Sequence, residues 1–350
     1  MNSSLLPTDI SRSEGCTLTG VLSVTGFLEG AVTVIHGPSG CTHHNASLLH
    51  ASLAEIGDLE VPRLVSSNLQ ENEVIFGGEA ALEEALRAAD ELRPGLICVV
   101  STCLADTIGD DTAALCREKR STPVVHIPGA GFLGGGFSEG IKNALRSLLT
   151  LSSRQDRISR DGEVLIVGEK NLEYEAEENY CEVARLLSLL GLHPGIRFVR
   201  RMTASDCARI SSAPLAILRD PGLIEVGSDL TRRFGTTVLP GFPVGPDGTL
   251  RFLKDVGEAA GINPLEAIRD EEGRLDDLYA RFDDLVGAEI RIDSHHADPA
   301  AVAAARTVIR QLNMTESETG TPLRLPFDPP IGTEGTKRML HLFRRCLGRA

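Results

Sequence analysis

What most constrains this chain is an alternation: short apolar runs of strand length keep giving way to segments of helical period. AVTVIHG (31–37) is a β-branched run closed by glycine and proline. ALEEALRAADELRP (81–94) has helical spacing and stops at a proline; GLICVVSTC (95–103) and TPVVHIPG (122–129) return to strand character. GIKNALRSLLTLSSR (140–154) is helical again. Alternation of this kind predicts an α/β fold with parallel sheets covered on both faces by helices. In such sheets ligands gather beyond the carboxyl ends of the strands, and His36–Cys41 and Ser101–Cys103 fall there. The polar stretch SRQDRISRDG (153–162) reads as a linker. After it EVLIVGE, IRFVRR, PLAILRD and TTVLPGFPVG read as strands, and YCEVARLLSLLGL, LIEVGSDLTRRFG and DGTLRFLKDVGEAAGI as helices. The division expected is 1–155 and 160–262 as two α/β domains, with 263–350 as a shorter helical and α/β region.

Composition narrows the function classes. A net charge of −14 with no basic stripe argues against a nucleic-acid footprint, and 4% aromatics without tryptophan argue against base-stacking platforms. The opening MNSSLLPTDISRSEGC has no basic n-region or long apolar stretch, and no run nears 18 apolar residues. These features lead us to expect a cytoplasmic protein with neither a secretory signal nor a membrane span. There is no G-x-x-x-x-G-K-[ST], so the chain is not itself expected to hydrolyse ATP through a P-loop. GAGFLGGGFSEG (129–140) lacks the dinucleotide-binding spacing, and with neither H-E-x-x-H nor C-x-x-C a simple zinc site is not indicated.

Eight cysteines in 350 residues are too sparse for a disulfide scaffold, so they read as reduced thiols. Singly, each is most simply a small core residue. Three have distinctive punctuation. Cys16 follows a glycine ahead of a helical stretch, Cys41 sits between a strand and the next helix, and Cys103 sits at another strand end. Backbone N–H groups at such turns favour anions, which suits a thiolate or a cluster of net negative charge. His43 and His44 follow Cys41 by a few residues. Histidine titrates near neutrality and is suited to proton donation, though an exposed or core-lining pair at a helix start is the plainer account. The loop Gly131–Phe137 is a candidate pocket wall. Asp110 and Asp111 fit the first turn of a helix, and Glu71–Asn72 fit either a helix start or a segment orienting the loop beside the thiols.

GCTLTG, AVTVIHGPSGCTHHNASLL, SSNLQENEVIFGGEAALEEAL, VVSTCLADTIGDD and IPGAGFLGGGFSEG, in that order, resemble the nitrogenase component 1 family. That family includes nitrogenase molybdenum–iron subunits, their cofactor-assembly scaffold, and nitrogenase-like tetrapyrrole reductases. The likeness is close over residues 14–145 and looser over 160–260. It implies tandem Rossmann-like domains of the component 1 type, here with a shortened C-terminal region. It also implies an iron–sulfur cluster, [4Fe-4S] or larger, held at a subunit interface by Cys16, Cys41 and Cys103. A P-loop iron–sulfur ATPase would then deliver electrons, and a second component 1-type subunit, most simply another copy, would complete the dimer. Where the nitrogenase α-subunit has a cysteine for its cofactor, this chain has no cysteine near Arg219. Cys181 and Cys207 lie elsewhere, in a helix core and a short loop by their sequence setting. The departure points away from nitrogen fixation. The expected activity is an oxidoreductase reducing a tetrapyrrole, nickel-sirohydrochlorin a,c-diamide, in biosynthesis of the methanogen nickel coenzyme, with His43 and His44 as proton donors. Two alternatives remain: a non-catalytic scaffold for cofactor assembly, and a nitrogenase-like reductase of another substrate.

Overall fold

The computed structural model describes residues 15–55, 61–132, 135–152, 162–294, 297–325 and 328–349. The expected linker at 153–162 therefore lies, but for Gly162, outside the described residues. The chain forms two compact units, residues 1–174 with 195–240, and residues 175–194 with 241–350.

The first unit opens with α1 (Thr17–Thr25), β1 (Leu28–Glu29), β2 (Ala31–His36) and α2 (Ser39–Glu55). It continues with β3 (Leu64–Ser66), α3 (Glu71–Phe76), α4 (Glu79–Glu91) and β4 (Leu96–Ser101). Then follow α5 (Cys103–Ile108), α6 (Thr112–Arg117), β5 (Val124–Pro128) and α7 (Phe137–Leu148). The sheet order is β3-β2-β4-β5, parallel throughout. All six residues of β4 are buried, the near-continuous apolar run of a sheet covered on both faces. Side chains alternate between two cores, as a pleated strand requires. Val32, Val34, Ile97 and Val99 pack with Leu82, Ala85, Leu86 and Ala89 of α4. Ile35, Cys98, Val100 and Ile127 pack with Leu18, Val21 and Leu22 of α1 and Leu145 and Leu148 of α7. Each fully buried leucine or isoleucine there contributes roughly 1.5–3 kcal/mol.

Helices α1 and α7 approach backbone to backbone. A Cβ on Gly20 would lie 1.9 Å from the carbonyl oxygen of Phe137, and one on Gly140 would lie 2.0 Å from that of Thr17. Only glycine fits at either position. The crossing fixes Cys16, the residue preceding α1, beside the loop that leads into α7.

The remainder of this unit has β6 (Glu163–Val167), and β7 (His193–Phe198), whose first two residues fall in the second unit. It adds β8 (Met202–Thr203), α9 (Ala204–Arg209), β9 (Leu215–Leu218), α10 (Ile224–Phe234) and β10 (Thr237–Leu239). Its sheet runs β10-β9-β6-β7, and β1 pairs in parallel with β8 through Leu28 and Met202. One hydrophobic core runs from Leu18 and Leu145 to Leu165, Phe198, Ala216 and Leu230.

In the second unit, α8 (Ala176–Ser188) is followed after a long interval by α11 (Gly245–Ala260) and α12 (Leu265–Ala280). Then come β11 (Glu289–Asp293), α13 (Pro299–Gln311), β12 (Thr315–Glu316), β13 (Thr321–Arg324) and α14 (Gly332–Cys346). Its three strands are parallel in the order β12-β11-β13. Arg185 of α8 binds both oxygens of Glu182 and of Glu271 on α12, while the amide of Thr333 on α14 donates to Glu182 at 2.8 Å. The α/β alternation read from the sequence is thus present, with parallel strands in every sheet. Among the described residues no helix is long and apolar enough to cross a membrane.

Candidate functional site

Strands β2 and β4 end side by side, and their exits are locked together. The Thr102 amide and hydroxyl both donate to the carbonyl of His36, at 3.1 and 2.9 Å. A Cβ on Gly37 would lie 2.3 Å from the Thr102 hydroxyl, so this approach requires glycine. One step beyond these exits lie Cys41, in the first turn of α2, and Cys103, the first residue of α5. Cys16 arrives from the other side as the residue capping α1. First turns of helices leave backbone N–H groups without intrahelical partners and favour negative charge.

The three thiols come close enough to influence one another. Burial pushes the Cys41 thiol above its ordinary value, and the neighbouring Cys16 and Cys103 add to that rise. Cys16 is exposed, and Cys41 and Cys103 are half-buried. The Phe132 amide donates to the Cys103 sulfur at 3.3 Å. The Thr19 hydroxyl lies 3.6 Å from the Cys16 sulfur and donates to Asn45 Oδ1 at 2.7 Å. Asn45 Nδ2 in turn donates to the carbonyl of Cys41 at 2.9 Å. By contrast, burial drives the core thiols Cys116 and Cys207 to about 12 and Cys98 higher still.

Among the described residues no three His, Cys, Asp or Glu side chains close on one point as a single ion would need. Two buried hydroxyls next to these cysteines in the chain, those of Thr17 and Thr42, have no hydrogen-bond partner among the described residues. The Thr17 hydroxyl faces Gly131 and Gly135, where a Cβ would lie 2.6 and 2.8 Å from it. Three soft anionic donors, unused hydroxyl donors and a glycine-lined wall fit an iron–sulfur cluster, whose sulfur atoms accept hydrogen bonds and which spans several atoms.

His43 and His44 are exposed on α2, while Asn45 is the residue of that turn that points inward, at 2% exposure. Of the loop Gly131–Phe137, Leu133 and Gly134 lie outside the described residues. Glu71 and Asn72 open α3, whose start is closed by a reciprocal bond pair between Gln70 and Glu73. That helix buries none of its residues; Ile75 is 70% and Phe76 84% exposed, and the Phe132 ring beside Cys103 is 84% exposed. Asp111 caps α6 by accepting from the Ala114 amide at 2.9 Å.

Asp110 does something the sequence did not suggest. It accepts from the Gly78 amide at 2.9 Å and pairs with His36 Nε2 at 2.9 Å, while His36 Nδ1 meets the Ser67 hydroxyl at 2.9 Å. The Ser67 hydroxyl also accepts from the Gly37 amide at 3.0 Å; because the Asp110 carboxylate can only accept, His36 Nε2 donates to it, and in the neutral ring Nδ1 accepts from Ser67. Burial lowers the pKa of His36, opposed by Asp110. Ser67, Thr19 and Asn45 were not singled out from the sequence, and His36 was marked only as the start of the strand-end segment His36–Cys41. The only local signal was a histidine directly before Gly-Pro at a strand end.

At Arg219 the chain has a buried guanidinium just past β9, bonded to both oxygens of Glu173 at 2.7 and 3.0 Å. Cys181 is exposed on α8, not in a helix core, because that helix turns Asn179, Glu182, Val183 and Leu186 inward. Cys207 is buried within α9, a short helix and not a loop.

Residues 16–292 match the family model described as nitrogenase component 1 type oxidoreductase. The nitrogenase iron-molybdenum cofactor biosynthesis protein NifE of Clostridium pasteurianum is 32% identical over 334 residues, covering 92% of this chain and 72% of that protein. The NifE of Methanococcus maripaludis is 26% identical, covering 88% of this chain and 65% of that protein. A light-independent protochlorophyllide reductase subunit of Bradyrhizobium sp. (strain ORS 278) is 27% identical, covering 89% of this chain and 61% of that protein. The solved structure of nitrogenase Cp1 at pH 6.5 superposes with a TM-score of 0.66 at 19% identity, over 90% of this chain and 62% of that one. This chain thus spans about two thirds of the length of the relatives it matches.

Proposed function

Because the chain belongs to the nitrogenase component 1 type oxidoreductase family, we propose that it is the iron–sulfur catalytic subunit of a nitrogenase-like reductase. The observation that carries the reading is that Cys16, Cys41 and Cys103 each stand at a helix start, with Cys41 raised by burial first and then by both of the others. These three thiolates would hold the cluster, with a second copy of the chain supplying the other side. An iron–sulfur cluster bound there supplies one-electron transfer at low potential.

The chain's own residues set the surroundings. The Phe132 amide places a donor on the Cys103 sulfur, the Thr102 bonds to the His36 carbonyl hold the β2 exit to the β4 exit, and the His36 ring ties the β2 exit to Ser67 after β3 and Asp110 beyond α5. His43 and His44, exposed within a turn of Cys41, are the groups proposed to deliver protons alongside electrons. The uncovered apolar side chains Ile75, Phe76 and Phe132 suit docking of protein partners, here an ATP-dependent iron protein and the second subunit. The substrate class proposed is a tetrapyrrole, nickel-sirohydrochlorin a,c-diamide.

A second reading, a scaffold on which a metal cofactor is assembled and passed on, is favoured by two observations. No cysteine lies near the paired Arg219, where the resemblance implies the nitrogenase cofactor cysteine, and two of the relatives above are named for cofactor biosynthesis. Incubation with an iron protein, MgATP, dithionite and the nickel tetrapyrrole separates the two. The reductase reading expects ATP-dependent loss of the tetrapyrrole absorption band. An unchanged band, with metal cluster passing to an apo-acceptor, would establish the scaffold instead.

A further inference from the structure

The hydrogen bonds around Cys16 have a forced direction. The carbonyl of Cys41 can only accept, so the amide nitrogen of Asn45 must face it, at 2.9 Å. That orientation turns Asn45 Oδ1 toward Thr19, whose hydroxyl has one proton and gives it to this oxygen at 2.7 Å. Thr19 therefore has only lone pairs left for the Cys16 sulfur, 3.6 Å away. Both Thr19 and Asn45 are 2% exposed, so water does not loosen the arrangement. Cys103 is treated in the opposite way, since its sulfur receives the Phe132 amide.

From this we infer that Asn45 is a positioning residue that holds Thr19 as a pure acceptor toward Cys16, denying one cluster ligand a hydrogen bond and keeping the midpoint potential low. The inference rests on the iron–sulfur reading of the three cysteines. Its physical basis is that donors to ligand sulfur stabilise the extra negative charge of the reduced cluster and raise its potential, whereas a facing lone pair does the reverse. Asn45 also ties the first turn of α2 to α1, so the same side chain that orients Thr19 sets the spacing of two ligands.

The test is an EPR-monitored redox titration of the anaerobically purified holoprotein and three variants. In Asn45→Ala the Thr19 hydroxyl is free to swing onto the Cys16 sulfur, and the midpoint should move positive by a threefold or greater change in the reduction equilibrium. Adding Thr19→Val to Asn45→Ala should abolish that rise, because no hydroxyl remains. Thr19→Val alone, a near-isosteric change, should leave the midpoint unchanged or slightly raised. A fall in Thr19→Val would mean that Thr19 donates to Cys16 in the native protein, and would overturn the inference even if Asn45→Ala failed to fold. A rise in Asn45→Ala that survives loss of the hydroxyl would also overturn it. Iron-free wild-type protein would instead overturn the cluster reading itself, and the inference with it.

Discussion

At the residue scale the site is a set of thiols with unequal surroundings. A thiol attacks an alkylating agent only as its thiolate, so a raised pKa moves the onset of reaction to higher pH. Cys41 is raised by burial and by its two neighbours. In metal-free protein its modification by iodoacetamide should begin at a more alkaline pH than that of a free peptide thiol, as followed by peptide mass spectrometry. Replacing Cys16 and Cys103 together with alanine should bring that onset partway back, since burial remains; an onset left where it stands in the wild type would contradict the electrostatic picture. Asp110 carries a second expectation. Its removal leaves the wholly buried His36 Nε2 unpaired, so Asp110→Ala should cost about 1–3 kcal/mol in denaturant unfolding; a shift below about 0.5 kcal/mol would sink the claim that it anchors the β2 exit. The placing of the three cysteines at helix starts was legible in the sequence because each stands at a turn marked by glycine or a strand end. Asn45 and Asp110 were not, since their partners lie 26 and 74 residues away and no local pattern announces them.

At the element scale the crossing of α1 and α7 matters most, because it brings Cys16 to the other two thiols. Gly140→Ala would drive a Cβ into the Thr17 backbone, and overpacking of this kind costs about 1–3 kcal/mol. The helices should part, so iron content should fall along with the unfolding midpoint. Gly273→Ala, on an α12 position with open space, should instead be neutral or slightly stabilising. Equal effects of the two substitutions would contradict a packing role for the crossing. Strands and helices were readable by their periods: the runs 31–37, 95–103 and 122–129 each contain a strand, and 81–94 lies largely within a helix. The backbone contact was not readable, because Gly20 and Gly140 each look like an ordinary glycine until the other helix is placed against it. Likewise nothing local says that α8 is held by Arg185 to Glu271 of α12 and that Glu182 takes the Thr333 amide of α14.

At the scale of the whole molecule, a parallel α/β frame gathers three helix starts at one edge and leaves apolar side chains uncovered beside them. Family and architecture were legible because they rest on many weak signals in a fixed order. Substrate and partner rest on few residues, and near Arg219, where the family resemblance implies a further cofactor cysteine in the nitrogenase α-subunit, this chain has instead an arginine paired to Glu173. The central claim, that three cysteines hold an iron–sulfur cluster, is tested most directly by anaerobic purification with iron and acid-labile sulfide assays and EPR after dithionite. Wild type, Cys41→Ala and, as a core-thiol control, Cys116→Ala should be compared. The account predicts stoichiometric iron and sulfide with a reduced-cluster signal in wild type and in the control, and loss of both in Cys41→Ala. Iron-free wild type, or a signal untouched by Cys41→Ala, would contradict it.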